Sequence, residues 1–147
     1  MDEFSYEMPE QSLGFLLWQV TNLWQKYQRA ALEPLGLTHV QFVLLASINR
    51  LNQQGTPVTQ IQLARHAHTD VMMTSEVVRT LEKKRLIQRA PHPVDTRAKC
   101  LSITPQGLEK VKQAIQIVAE VDHNFFASIP EGSEHFAALL RHLLAER

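Results

Sequence analysis

One cysteine, five glycines, no net charge and no long apolar run set the first limits on this chain. Cys100 has no partner for an internal disulfide, and a lone thiol suits a reducing cytosol. No apolar stretch nears the ~20 residues that a membrane-spanning helix requires. The start, Met1–Glu10, is acidic and lacks both a basic opening and a small-residue cleavage site, so no export signal is visible and a cytoplasmic location is expected. No glycine-rich phosphate loop, paired-carboxylate motif or nucleophile–base–orienter set is recognisable, so neither an enzyme nor a cofactor is expected. The seven histidines do not make a metal site by spacing. His66 and His68 straddle a helix end, and His135 and His142 are seven apart; neither is the i,i+4 pair that clamps zinc on a helix.

What is present fits one folded domain, 1–147. The chain is 44% hydrophobic and 20% charged, with no linker, repeat or low-complexity tract to divide it. Its neutrality hides an uneven distribution. Between Arg79 and Lys99, seven cations (Arg79, Lys83, Lys84, Arg85, Arg89, Arg97, Lys99) face two anions (Glu82, Asp95), a local +5 that leaves −5 for the rest. Such polarity lets one face meet phosphate while the other surfaces discourage random adhesion.

Apolar periodicity and capping signals give the layout. Leu13, Leu17, Val20, Trp24, Tyr27 and Ala31 recur at helical steps, predicting an amphipathic helix over about Pro9–Leu32 that Pro34 and Gly36 end. Thr38 and Gln41 form a capping-box pattern at the start of a second helix that ends near Gln54-Gly55. Pro57-Val58 is extended and suits a short strand. Thr59 and Gln62 repeat the capping pattern before a short helix over Thr59–Ala67, and the polar His68-Thr69-Asp70 turn precedes a further helix, Met72–Lys84. Strands are expected at Ile87–Pro91 and Lys99–Ile103 around a His92–Thr96 loop. Thr104 can cap, and Pro105 suits the first turn of, a long helix to about Ser128, whose apolar stripe Asp122 interrupts. Ser133–Glu146 closes the chain with Phe136, Leu139, Leu140, Leu143 and Leu144 on one side.

Helix, turn, helix and basic hairpin is the layout of a winged helix-turn-helix, which sets its second helix in a DNA major groove. The fold class expected is mainly α with a small β wing: a winged core at about 38–103, with dimerisation helices at about 9–32 and 105–147.

Three segments in register carry a family likeness: Leu81-Glu82-Lys83-Lys84-Arg85-Leu86-Ile87, Asp95-Thr96-Arg97-Ala98, and Leu101-Ser102-Ile103-Thr104-Pro105-Gln106-Gly107. The chain resembles the MarR family of winged-helix regulators over nearly its whole length. The resemblance implies a homodimer joined through the terminal helices, most often a repressor, with an Asp-x-Arg wing whose arginine touches DNA. Some relatives sense oxidants through a cysteine near the amino terminus; no cysteine stands there in this chain. Two departures bear on local geometry. Arg85 stands where relatives usually carry glycine at a left-handed helix end, at a cost of ~1 kcal/mol if that backbone is kept. The His68-Thr69-Asp70 turn also lacks glycine.

Residue chemistry names the contacts. On Met72–Lys84, Thr74, Val77, Val78 and Leu81 share one side and should face the core. The opposite side presents Met72, Ser75, Glu76, Arg79 and Lys83, with Met73 on its flank. Serine bonds base edges or phosphate, glutamate accepts from cytosine, arginine reads guanine, and methionine meets thymine methyls. In the wing, Arg97 is placed to enter a minor groove or bind phosphate, with Asp95 presetting its guanidinium. Arg89, His92 and Lys99 are supporting phosphate candidates; an ordinary exposed role is open for each.

The partners expected are double-stranded DNA with a pseudo-palindromic operator, and a second copy of the chain. Relatives often bind small aromatic compounds where the dimer layer meets the winged module. That junction is expected to involve Trp18, Trp24, Phe42 and an anchoring His39, against the alternative of a filled core. A winged-helix module that uses the same basic face to bind a protein is the competing reading.

Overall fold

The computed structural model describes residues 12–145. The acidic start, the expected helix opening near Pro9 and the close at Glu146 lie outside the described residues. The described chain runs through α1 (Leu13–Leu32), a 3-10 turn (Glu33–Leu35), α2 (His39–Gln53), α3 (Gln60–Ala67) and α4 (Val71–Lys83). It continues with β1 (Ile87–Pro91), β2 (Lys99–Ile103), α5 (Pro105–Phe126) and α6 (Ser133–Leu144). The described residues form two compact units: Leu32–Ile117, and residues 12–31 together with 118–145.

Helix starts follow local chemistry. Ser12 Oγ accepts from Phe15 N–H at 3.3 Å at the head of α1, where the apolar stripe begins with Leu13. Thr38 and Thr59 both complete their capping boxes. Gln41 N–H donates to Thr38 Oγ1 and Thr38 N–H to Gln41 Oε1, each at 3.2 Å. Gln62 and Thr59 repeat the exchange at 3.2 and 2.9 Å. Asp70 accepts from Met73 N–H at 3.0 Å, which starts α4 at Val71, one residue before the expected Met72.

The Leu32–Ile117 unit packs α2, α3 and α4 beneath the hairpin. Leu44, Leu45, Ile48, Leu63, Val78 and Leu81 are fully buried. β1 and β2 pair antiparallel, with Ile87 opposite Ile103 and Pro91 opposite Lys99. The strand expected at Pro57-Val58 does not form. Val58 O takes one bond, from Leu101 N–H at 2.7 Å. Pro57 has no N–H, and Thr59 turns directly into the α3 cap. The Asn52 amide fills the rest of that edge, donating to Leu101 O at 3.0 Å and accepting from Ile103 N–H at 2.9 Å. A side chain at the end of α2 thus holds the wing where a third strand would.

Both helix ends that lack glycine adopt the left-handed backbone, His68 at φ 53° and Arg85 at φ 64°. Each is locked by a Schellman pair. Thr69 N–H bonds Ala64 O and His68 N–H bonds Arg65 O; Leu86 N–H bonds Leu81 O and Arg85 N–H bonds Glu82 O. Buried Leu81 and Leu86 supply the apolar contact that accompanies the second. Arg85→Gly should therefore raise stability by about 1 kcal/mol, read as a higher urea midpoint at unchanged m. A lower midpoint would mean that the Arg85 side chain contributes more than its backbone costs.

The terminal unit is built differently. Every buried hydrophobic side chain among the described residues belongs to Leu32–Ile117. Of the 17 exposed large hydrophobics among the described residues, 12 lie on α1 and α6, among them Leu13, Trp18, Leu139 and Leu143. The one buried residue there is polar: Gln28 donates Nε2–H to Asp122 Oδ1 at 2.8 Å, beside the Trp24 indole N–H at 2.8 Å. Asp122 breaks the α5 stripe because it ties α5 to α1. Among the described residues no single helix is long and apolar enough to cross a membrane.

Candidate nucleic-acid interface

Helix α4 separates its two sides as its sequence dictates. Thr74, Val77, Val78 and Leu81 are buried. Thr74 Oγ1 bonds Asp70 O at 2.7 Å and meets Thr69 Oγ1 at 2.7 Å, which pins the turn to the helix it introduces. On the outward side Met72, Glu76, Arg79 and Lys83 are exposed, while Met73 and Ser75 are half-buried. Met72 is 76% exposed, and no neighbour covers this large apolar side chain. The six residues named from the sequence thus form one surface that mixes donors, an acceptor and an apolar group, the chemistry needed to read base edges.

The basic stretch is less free than its charge count suggests. Lys84 Nζ donates to Gly36 O at 2.6 Å and Gln41 Oε1 at 2.8 Å, joining the end of α4 to the start of α2. Arg89 Nε donates to Glu82 Oε2 at 3.0 Å, a half-exposed pair that steadies β1 against α4. Arg79, Lys83, Arg97 and Lys99 are exposed and carry the outward positive charge of this surface together with Arg85.

At the wing tip Arg97 has a side chain 94% exposed. Asp95 lies 3.7 Å from its Nε, too far for a hydrogen bond, and grips the Arg97 backbone N–H instead at 3.1 Å. Asp95 therefore fixes where the arginine leaves the chain rather than where the guanidinium points. His92 turns inward: its Nδ1 accepts from Val94 N–H at 3.0 Å and Asp95 N–H at 2.9 Å. Its part as a phosphate contact, read from type and position alone, competes with this structural duty.

Several residues that build the surface carry no local sequence signal. Asn52 and Lys84 act through partners more than 40 positions away. Gly107 and Thr104 stand in the third likeness segment, where Thr104 Oγ1 accepts from Gly107 N–H at 3.0 Å and donates to Arg85 O at 2.7 Å. Cys100 is half-buried opposite Ala90 in the hairpin. Among the described residues no three His, Cys, Asp or Glu side chains converge as a metal site.

The four residues named for a ligand fall in both units. Trp18 and Trp24 belong to the terminal unit; His39 and the buried Phe42 belong to Leu32–Ile117. The terminal unit itself holds an open apolar groove of about 1100 Å³ lined by Val20, Leu23, Tyr27, Phe125, Phe126 and Phe136 among others, and by none of those four.

Comparison with known proteins agrees with this geometry. The model of the MarR family matches residues 37–99. An uncharacterized HTH-type transcriptional regulator of Bacillus subtilis (strain 168), YdcH, is 48% identical over 92% of each chain. The HTH-type transcriptional repressor Rv2887 of Mycobacterium tuberculosis is 31% identical over 80% of this chain and 81% of its own. A mutant MarR from E. coli, solved complexed with operator DNA, shares the fold at TM-score 0.82 and 22% identity, over 95% of this chain and 99% of that one. With its capped α3–α4 pair, basic hairpin and near full-length relatives, this chain belongs to the MarR family of helix-turn-helix transcriptional regulators.

Proposed function

We propose that the chain acts in the cytoplasm as a homodimeric repressor that binds a pseudo-palindromic operator and is no enzyme. The observation that carries this reading is the outward surface of α4, Met72, Ser75, Glu76, Arg79 and Lys83, displayed together with the exposed Arg97 of the wing. In this reading Leu32–Ile117 supplies the DNA contacts. The terminal helices, whose apolar stripes stay largely exposed in the single chain, supply the dimer contact. Met72 and Ser75 stand near the start of α4, the end that enters a major groove in helix-turn-helix proteins. Met73, Arg89, Asp95 and Lys99 flank or support the contact.

The test is a fluorescence-anisotropy titration of genomic fragments against random duplex. The wild-type chain should select particular fragments, with affinity falling steeply as salt rises because each phosphate contact releases counterions. Arg97→Ala should weaken binding by about 1–3 kcal/mol per wing with the fold intact. Binding that is salt-independent, or equal for every sequence, would favour the protein-interaction module instead. Release by a small aromatic ligand is the last part of the proposal. Titrating small aromatic carboxylates while following tryptophan fluorescence and operator affinity together tests it.

A further inference from the structure

The wing tip, residues 92–98, turns the chain without any glycine, and its backbone donors still need partners. It finds them internally. His92 N–H bonds Ala98 O at 3.2 Å and Ala98 N–H bonds Asp95 O at 3.1 Å. Arg97 N–H bonds Asp95 Oδ1 at 3.1 Å. Pro93 has no donor. Val94 N–H and Asp95 N–H, side by side, both point at one atom, His92 Nδ1, at 3.0 and 2.9 Å. A nitrogen that accepts these bonds carries no proton, so the neutral ring holds its proton on Nε2.

We propose that His92 is a positioning residue for operator binding: its Nδ1 presets the wing tip so that Arg97 is presented ready to bind. The relay is short. His92 fixes the backbone at Val94 and Asp95, the Asp95 carboxylate fixes the backbone at Arg97, and the guanidinium stands 94% exposed on that ordered base. A tip ordered before the encounter loses less conformational freedom on binding, and that saving appears as affinity. The imidazole acts through Arg97 rather than on phosphate. This inference rests on the reading of the wing as a DNA contact and adds the residue that shapes it.

The experiment uses the full chain and a selected operator fragment, with His92→Asn and His92→Ala made alone and each combined with Arg97→Ala. Asparagine offers Oδ1 as an acceptor at similar reach and suits turns of this kind, so His92→Asn should stay within about threefold of wild type. His92→Ala should lose about tenfold, because a tip no longer held at Val94 and Asp95 must be ordered on binding. Where Arg97 is already alanine, removing the imidazole should cost less than about twofold more, since the two effects are coupled. Long-range 1H–15N spectra of the free protein at neutral pH should show the His92 proton on Nε2. Equal losses for asparagine and alanine, losses that multiply with Arg97→Ala, or a proton on Nδ1 would each overturn the proposal. A wild-type chain that selects no duplex would overturn the DNA reading itself, a result none of the others resembles.

Discussion

Gly107→Ala should destabilise the Leu32–Ile117 unit by about 3 kcal/mol or more, although alanine is the better helix former by about 1 kcal/mol. The two effects oppose each other, and geometry decides. A Cβ at Gly107 would overlap the Leu86 carbonyl oxygen and approach Leu86 C and Ile103 Cγ1, both at 2.9 Å. The obstacle is backbone, held from several sides: Leu86 O accepts Thr104 N–H at 3.0 Å, and Thr104 Oγ1 bonds Arg85 O. Giving way would pull the start of α5 from the junction between α4 and β1, and the wing would move with it. Urea unfolding reads the effect, and DNA affinity should fall further than for a surface alanine. A midpoint at or above wild type would mean that the first turn of α5 shifts freely, so that the close approach plays no part in holding the wing.

The local chemistry of this fold was legible in the sequence, and its long-range chemistry was not. Thr38/Gln41 and Thr59/Gln62 marked helix starts because a capping box needs only residues three apart. The strand bounds Ile87–Pro91 and Lys99–Ile103 were equally plain, set by Thr104-Pro105 after the second and the His92–Thr96 loop between them. The inward side of α4 followed from its period. Asn52, by contrast, reaches strand residues 49 and 51 positions away, and nothing around it announces an amide that replaces a strand. The same blindness inflated the basic face. Lys84 adds to the charge count, yet its ammonium closes α4 onto Gly36 and Gln41. Type and position could place His92 at the wing but could not tell an imidazole facing phosphate from one accepting two backbone donors. Asp122 looked like a flaw in a stripe because its partners, Trp24 and Gln28, lie on a helix nearly a hundred residues earlier.

Replacing Leu139 and Leu140 together by glutamate should turn a dimer of twice 16.8 kDa into a monomer at micromolar concentration, as read by sedimentation. The argument begins with where the core is. Among the described residues Leu32–Ile117 holds all the buried hydrophobic side chains, whereas α6 leaves Leu139 53% and Leu140 38% exposed, and Leu13, Trp18 and Leu143 are exposed as well. Full burial of an exposed leucine is worth about 1.5–3 kcal/mol, and these side chains forgo roughly half of that each, so a partner surface of the same kind is favoured by the sum over the stripe. A second copy supplies that surface by two-fold symmetry, since each apolar patch meets its own image and the assembly closes at two. Glutamates there leave the internal core untouched, so the melting of the Leu32–Ile117 unit should hardly change. Operator affinity should nevertheless fall by about 10²- to 10⁴-fold, because a monomer loses the effective concentration that the first half-site gives the second. The two readouts must move together. A wild-type monomer at micromolar concentration, or a double glutamate variant that still sediments as a dimer, would show that these stripes are covered in some other way and that the recognition helices are not paired through them.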